Sequence, residues 1–173
     1  MEFHRSDVNT VNSVFFANVA TPYGGGGLHC WQSSPEIVNC TFSENSAVVC
    51  GGALSCFDNS NPVLTNCILW NDNAPISPEI YADGTSTPTI ICCDIAGCGG
   101  SGAGWDMARC IDGGGNKDED PVFVGAAGGD FHLDTGSPCI DTGYPGTTVT
   151  EDIEGNPRPA GSRCDMGAYE HQP

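Results

Sequence analysis

Ser34-Pro35-Glu36-Ile37-Val38-Asn39-Cys40-Thr41-Phe42 and Asn61-Pro62-Val63-Leu64-Thr65-Asn66-Cys67-Ile68-Leu69 are one block written twice. Outward from it, Pro35, Pro62 and Pro88 stand 27 and 26 residues apart, and both Asn12, Asn39, Asn66 and Ala20, Ala47, Ala74 keep a spacing of 27. A fixed period in the range of roughly 20 to 50 residues marks a solenoid, whose units bury their apolar faces only by stacking on one another. Alternation within each unit means strand. Aligned on the prolines, the expected core column is Val11, Ser13, Phe15, then Val38, Cys40, Phe42, then Thr65, Cys67, Leu69, then Ile91, Cys93, Ile95. Asn39, Thr41, Asn66 and Ile68 are expected to face outward.

A second strand follows the glycines and points Leu28 and Cys30, Leu54 and Cys56, and Ile80 and Ala82 inward. Gly24-Gly25 and Gly51-Gly52 form one corner, where positive φ is easiest for glycine. Asn18, Asn45 and either Asn71 or Asp72 stack at another, with amides able to bond along the stack. No 10-residue helical pattern fits between the strands, so the fold is all-β: a short parallel β-helix solenoid of three to four coils over residues 1–96. The period fails at Gly97. Residues 97–117 read as a Gly-rich loop, and 118–173 as an irregular C-terminal cap packing on the solenoid. At about 4.8 Å per coil the core is about 15 to 20 Å long, and its uncapped N-terminal coil predicts a homodimer through that edge.

Five Lys and Arg stand against 22 Asp and Glu, a formal charge of −17. Such a chain repels DNA, RNA and anionic lipid, which argues against nucleic acid as a partner and for cations as ligands. No run of 18 apolar residues predicts a transmembrane segment. Eleven cysteines point to an oxidising compartment. Cys98 with Cys110, and Cys139 with Cys164, are candidate disulfides, whereas Cys40, Cys67 and Cys93 fit a stack of buried thiols.

Three candidate sites follow. Asp112, Asp118 and Asp120, after the Gly-rich loop, form an oxygen-rich segment suited to calcium. Alternation places His29, Ser55 and Tyr81 on one outer face, flanked by Trp31, Phe57 and Asp83. Trp31, Phe57 and Tyr81 are candidates for stacking on sugar rings, unless the C-terminal segment folds across that face. His29 and Ser55, one strand spacing apart and with Asp83 or Asp58 near, also fit the base and nucleophile of a hydrolase, although no Gly-x-Ser-x-Gly elbow is present.

The C-terminal third reads Asp118-Glu119-Asp120-Pro121-Val122-Phe123-Val124, Gly129-Asp130-Phe131-His132-Leu133, Gly136-Ser137-Pro138-Cys139-Ile140-Asp141, Asp152-Ile153-Glu154-Gly155-Asn156-Pro157-Arg158 and Asp165-Met166-Gly167-Ala168-Tyr169-Glu170. With the repeated coils, it resembles secreted bacterial right-handed parallel β-helix proteins of the pectate-lyase-like class, whose members often finish in a choice-of-anchor segment. The resemblance implies a right-handed helix, a folding cap closed by Arg158 among Asp152, Asp165 and Glu170, and a secreted or cell-surface bacterial location. It also implies, for a lyase, a Lys or Arg base beside calcium; Lys117 and Arg109 are the basic residues near the acidic loop. The expected function is a secreted module that binds a surface glycan or partner protein under the influence of calcium. The alternatives are a calcium-dependent hydrolase or polysaccharide lyase acting on the outer strand face, and a structural fragment of a longer passenger or adhesin.

Overall fold

At Asn12, Asn39, Asn66 and Cys92 the backbone enters the left-handed region, with φ of 46°, 51°, 55° and 47°, in the computed structural model, which describes residues 1–172. Asparagine tolerates this conformation because its short polar side chain bonds locally. One such residue bends the chain between two strands and resets the alternation, so residues on both sides of it face inward. The inward column is therefore Thr10, Ile37, Leu64 and Ile90 before the bend, then Cys40, Cys67 and Cys93 after it. This corrects the uninterrupted alternation read from the sequence: Val11 is exposed, and Val38, Thr65 and Ile91 are only half-buried.

Coil by coil, the strands are β1 (Glu2–His4), β2 (Thr10–Val11), β3 (Val14–Phe16) and β4 (Val19–Ala20), then β5 (Leu28–Trp31), β6 (Glu36–Val38), β7 (Thr41–Ser43) and β8 (Ser46–Ala47). The third coil holds β9 (Leu54–Phe57), β10 (Val63–Thr65) and β11 (Ile68–Trp70), and a partial fourth holds β12 (Ile80–Ala82), β13 (Thr89–Ile91) and β14 (Asp94–Ile95). The equivalent strands pair in parallel to give a first sheet β1-β5-β9-β12, a second sheet β2-β6-β10-β13 and a third sheet β3-β7-β11-β14, with β4 on β8. The register steps by one coil, for example Leu28 on Leu54 and Phe15 on Phe42. Leu28, Cys30, Leu54 and Cys56 have no exposed surface and face Ile37, Phe42, Leu64 and Leu69 across the lumen. The stretch expected to be only a loop rejoins the solenoid in part: β15 (Ile111–Asp112) extends the second sheet beyond β13, and Lys117 bridges Asp94.

The C-terminal segment, which carries the antiparallel pair β16 (Phe123–Gly125) and β17 (Asp130–Leu133), lies on the outer face of the third sheet. Ile68 packs there with Cys92, Leu133, Cys139 and Met166. Cap backbone donors meet solenoid acceptors: Ala168 N to Thr41 Oγ1 at 3.0 Å, Gly167 N to Asn66 O at 2.7 Å, and Tyr144 N to Asn66 Oδ1 at 2.5 Å. Asn39, Thr41, Asn66 and Ile68 are consequently buried rather than solvent-facing. Of the three acids expected around Arg158, only Glu170 pairs with it through its carboxylate. Arg158 Nη1 and Nη2 donate to the carbonyls of Asp165 and Gly167, and Nη1 lies 3.4 Å from Glu170 Oε2, with neither side chain exposed.

All eleven cysteines are free, which overturns both expected disulfides. Three of the four thiols are otherwise engaged. Cys98 Sγ donates to the Lys117 carbonyl at 3.0 Å, Cys139 Sγ donates to Asp94 Oδ2 at 3.1 Å, and Cys110 lies in the lumen cluster with Cys56. The stack of Cys40, Cys67 and Cys93 is a column of buried thiols, as the repeat predicts.

Candidate functional site

The cap leaves the outer face of the first sheet open, and the strand register decides what stands there. Residue pairs His29 and Ser55, Ser55 and Tyr81, and Trp31 and Phe57 are direct lateral neighbours. Strands about 4.8 Å apart bring such side chains into contact. Trp31 and Phe57 stack with centroids 6.2 Å apart and planes 14° from parallel, Phe57 meets Tyr81 at 5.3 Å, and His4 extends the row beyond Trp31 at 6.5 Å. Trp31 is 38 % exposed, so part of its side chain reaches solvent at the middle of the row.

Beside the row, His29 Nδ1 lies 2.7 Å from Ser55 Oγ. Ser55 has no exposed surface, because the glycine corner closes over it: a Cβ on Gly25, itself at φ +75°, would stand 2.7 Å from Ser55 Oγ. A hydroxyl so placed orients the imidazole, and no substrate reaches it without displacing Gly24 and Gly25. His29 keeps its other face toward a cleft of about 390 Å³ lined by Glu2, Tyr23 and Gly24 to Gly26. Burial holds its pKa below the ordinary histidine value, with Glu2 opposing, so the ring is neutral at pH 7.

Asp83 does not join them. Its carboxylate accepts from Asp58 N at 2.9 Å and from Thr85 N and Oγ1 at 2.9 and 2.8 Å. Burial works against its charge, but these donors outweigh it and bring the carboxyl down to about 2. Asp58 likewise accepts from Gln32 rather than from His29. The catalytic reading of His29, Ser55 and Asp83 thus resolves into a contacting pair and a separate turn residue.

The acidic loop is organised by its own backbone. Asp112 accepts from Gly102 N, Ser101 Oγ, Gly114 N and Asn116 Nδ2 at 2.7 to 2.9 Å, and these bonds hold its pKa low. Asp118 accepts from Gly97 N and Gly99 N, and Asp120 from Val122 N. No three His, Cys, Asp or Glu side chains converge on a metal position among the described residues. Each of the three acids is held by donors of the loop itself, Asp112 by four.

Parallel coils, a left-handed corner in each repeat and an apolar lumen describe one architecture. The sequence profile described as "Right handed beta helix region" matches residues 3–125. The chain belongs to that family. No curated protein and no solved structure matches it. In this β-helix the profile runs through all coils and stops as β16 ends, so the cap that covers the third sheet lies largely beyond it.

Glu2, Tyr23 and the glycines around His29 escaped the sequence reading. Gly24-Gly25 registered as a corner, but nothing in the residues themselves says that a corner one coil earlier lies over Ser55. The acid pair Asp72 and Glu79 also escaped, because Glu79 sits outside the repeated block.

Proposed function

We propose that this β-helix is a secreted, cell-surface bacterial module that binds a surface glycan through the first sheet. The single observation that carries the reading is the open row His4, Trp31, Phe57 and Tyr81, which places consecutive aromatic rings on adjacent strands while the cap packs on the third sheet. Aromatic rings hold the apolar faces of sugars, and the few polar groups in the adjoining cleft, Glu2 and the neutral His29, supply orientation. The burial of Ser55 favours binding over hydrolysis. Titration with neutral and uronate oligosaccharides, followed by calorimetry, tests it: saturable binding without product supports the module, and turnover abolished by Ser55→Ala supports the hydrolase instead.

A partner protein in the form of a second copy is the other reading, favoured by β1, β2, β3 and β4, which are each at the edge of their sheets. Edge strands present unpaired backbone groups. Sedimentation across a concentration series tests it, with a concentration-independent monomer as the contrary result.

A further inference from the structure

The Asn ladder at the corner after the third sheet ends on two acids. Asn18 Nδ2 donates to Asn45 Oδ1 at 2.9 Å, and Asn45 Nδ2 donates to Asp72 Oδ1 at 2.7 Å. The backbone climbs in the same step: Asn18 N to Asn45 Oδ1, Asn45 N to Asp72 Oδ1, and Asp72 N to Glu79 Oε1 at 3.2 Å. Glu79, immediately before β12, therefore takes the place of the next rung. In the amide rungs the remaining side-chain atom is an N–H donor. In Asp72 it is an acceptor without a donor, and the next rung, Glu79, is an acid as well.

Asp72 is 6 % exposed and Glu79 5 %, and Asp72 Oδ2 and Glu79 Oε2 have no hydrogen-bond partner. The charged groups facing them are also acids: Glu44 acts on Asp72, and Asp106 shares with Glu79 the lining of a cleft of about 460 Å³. No Lys, Arg or His pairs with either among the described residues. Two buried carboxylates side by side are too costly to hold unless one is neutralised.

We propose that one proton is bound between Asp72 and Glu79, completing the ladder with a carboxylic O–H in the place of the amide donor, and that its loss loosens the corner from Asn71 to Glu79. That corner supports the glycine wall of the His29 cleft. Gly51 N donates to the carbonyls of Ile76 and Ser77, and Gly51 O accepts from Gly25 N. Proton release is thereby tied to the shape of the cleft.

Desolvation raises both groups: Asp72 goes to about 6 against the opposing hydrogen bonds of Glu79 and Asn45, and Glu79 goes to about 10 with the charge of Asp72 adding to its burial. The folded state then holds more protons than the unfolded one above the ordinary carboxyl range. The stability contribution is complete below that range and is lost as pH rises toward about 10.

The test compares wild type with Asp72→Asn and Glu79→Gln in thermal and urea melts from pH 5 to 10. Either amide restores a donor. For Glu79→Gln the ratio of folding constants, variant to wild type, is expected to rise about tenfold per pH unit between about pH 6 and 10, and for Asp72→Asn, which keeps the buried Glu79, less steeply, both variants melting above wild type at pH 9. His132, which also titrates, is common to all three and cancels. Infrared difference spectra give an independent readout: a protonated-carboxyl band in wild type at pH 7, absent from Glu79→Gln and shifted in Asp72→Asn, where its hydrogen-bond partner changes. Parallel pH profiles, or no such band, overturn the proposal. So does a melting temperature raised by Ca²⁺ or Na⁺ in wild type and unresponsive in Asp72→Asn, which assigns the pair to a metal ion.

Discussion

The outer faces of the first and third sheets are built by the same coils, with the same strand spacing, and both carry aromatic and apolar side chains. Only one is covered. On the third sheet Ile68 stands beside polar atoms that need partners, the Thr41 hydroxyl and the carbonyl and amide of Asn66, and the cap supplies backbone donors to each. On the first sheet the polar partners satisfy one another, His29 with Ser55, and what remains outward is a row of rings. The comparison teaches that hydrogen-bonding need next to an apolar residue, rather than apolar surface alone, directs the irregular segment.

The largest way to break this asymmetry is at the cap's own closure. Arg158→Ala leaves Glu170 buried and unpaired and is expected to cost about 3 to 5 kcal/mol, read as a lower urea midpoint. Ile68→Ala opens a cavity between cap and solenoid and is expected to cost about 2 to 5 kcal/mol. Its counterpart on the open face, Trp31→Ala, is expected to cost less, about 0.5 to 1.5 kcal/mol for the lost stacking on Phe57. Equal losses at both positions, measured in the same melts, would erase the contrast.

Smaller effects sharpen it. His132 Nδ1 lies 2.6 Å from Asp130 Oδ1 and Nε2 lies 3.2 Å from Glu154 Oε2, on the cap's solvent side. Asp130 chiefly, opposed by burial and helped by Glu154, raises its pKa, so this contribution is present below the ordinary histidine value and is lost as pH rises through the raised one. Being exposed, it is worth about 0.2 to 1 kcal/mol, and His132→Gln should remove that part of the pH dependence while leaving glycan binding intact. EDTA should change the melt least. A calcium ion at 100 times its dissociation constant would add about 2.7 kcal/mol, and the committed carboxylates of Asp112 and Asp118 predict no such shift.

The sequence made the coils legible because a 27-residue period repeats the same physical demand, and the inward set Leu28, Cys30, Leu54 and Cys56 stands where alternation puts it. It misled at Asn39 and Asn66, where one left-handed residue resets the phase and no strand pattern records it. The row of Trp31, Phe57 and Tyr81 was visible from spacing, but which face the cap takes depends on contacts 100 and more residues apart, such as Ala168 with Thr41. Asp83 looked close to His29 along the strands, and its carboxylate instead answers the nearest backbone donors of its own turn. Local N–H groups likewise claimed Asp112, Asp118 and Asp120.

The most direct test of the open face as a binding surface is calorimetric titration of wild type, Trp31→Ala and the Trp31→Ala, Phe57→Ala double variant with one panel of oligosaccharides, beside melts of the same samples. The account predicts saturable binding that weakens by up to about tenfold with loss of the first ring, in line with about 0.5 to 1.5 kcal/mol for a stacked aromatic, with the fold retained in the melts. Binding that survives both substitutions, or a melting temperature that collapses with them, would contradict it and return the row to a structural role.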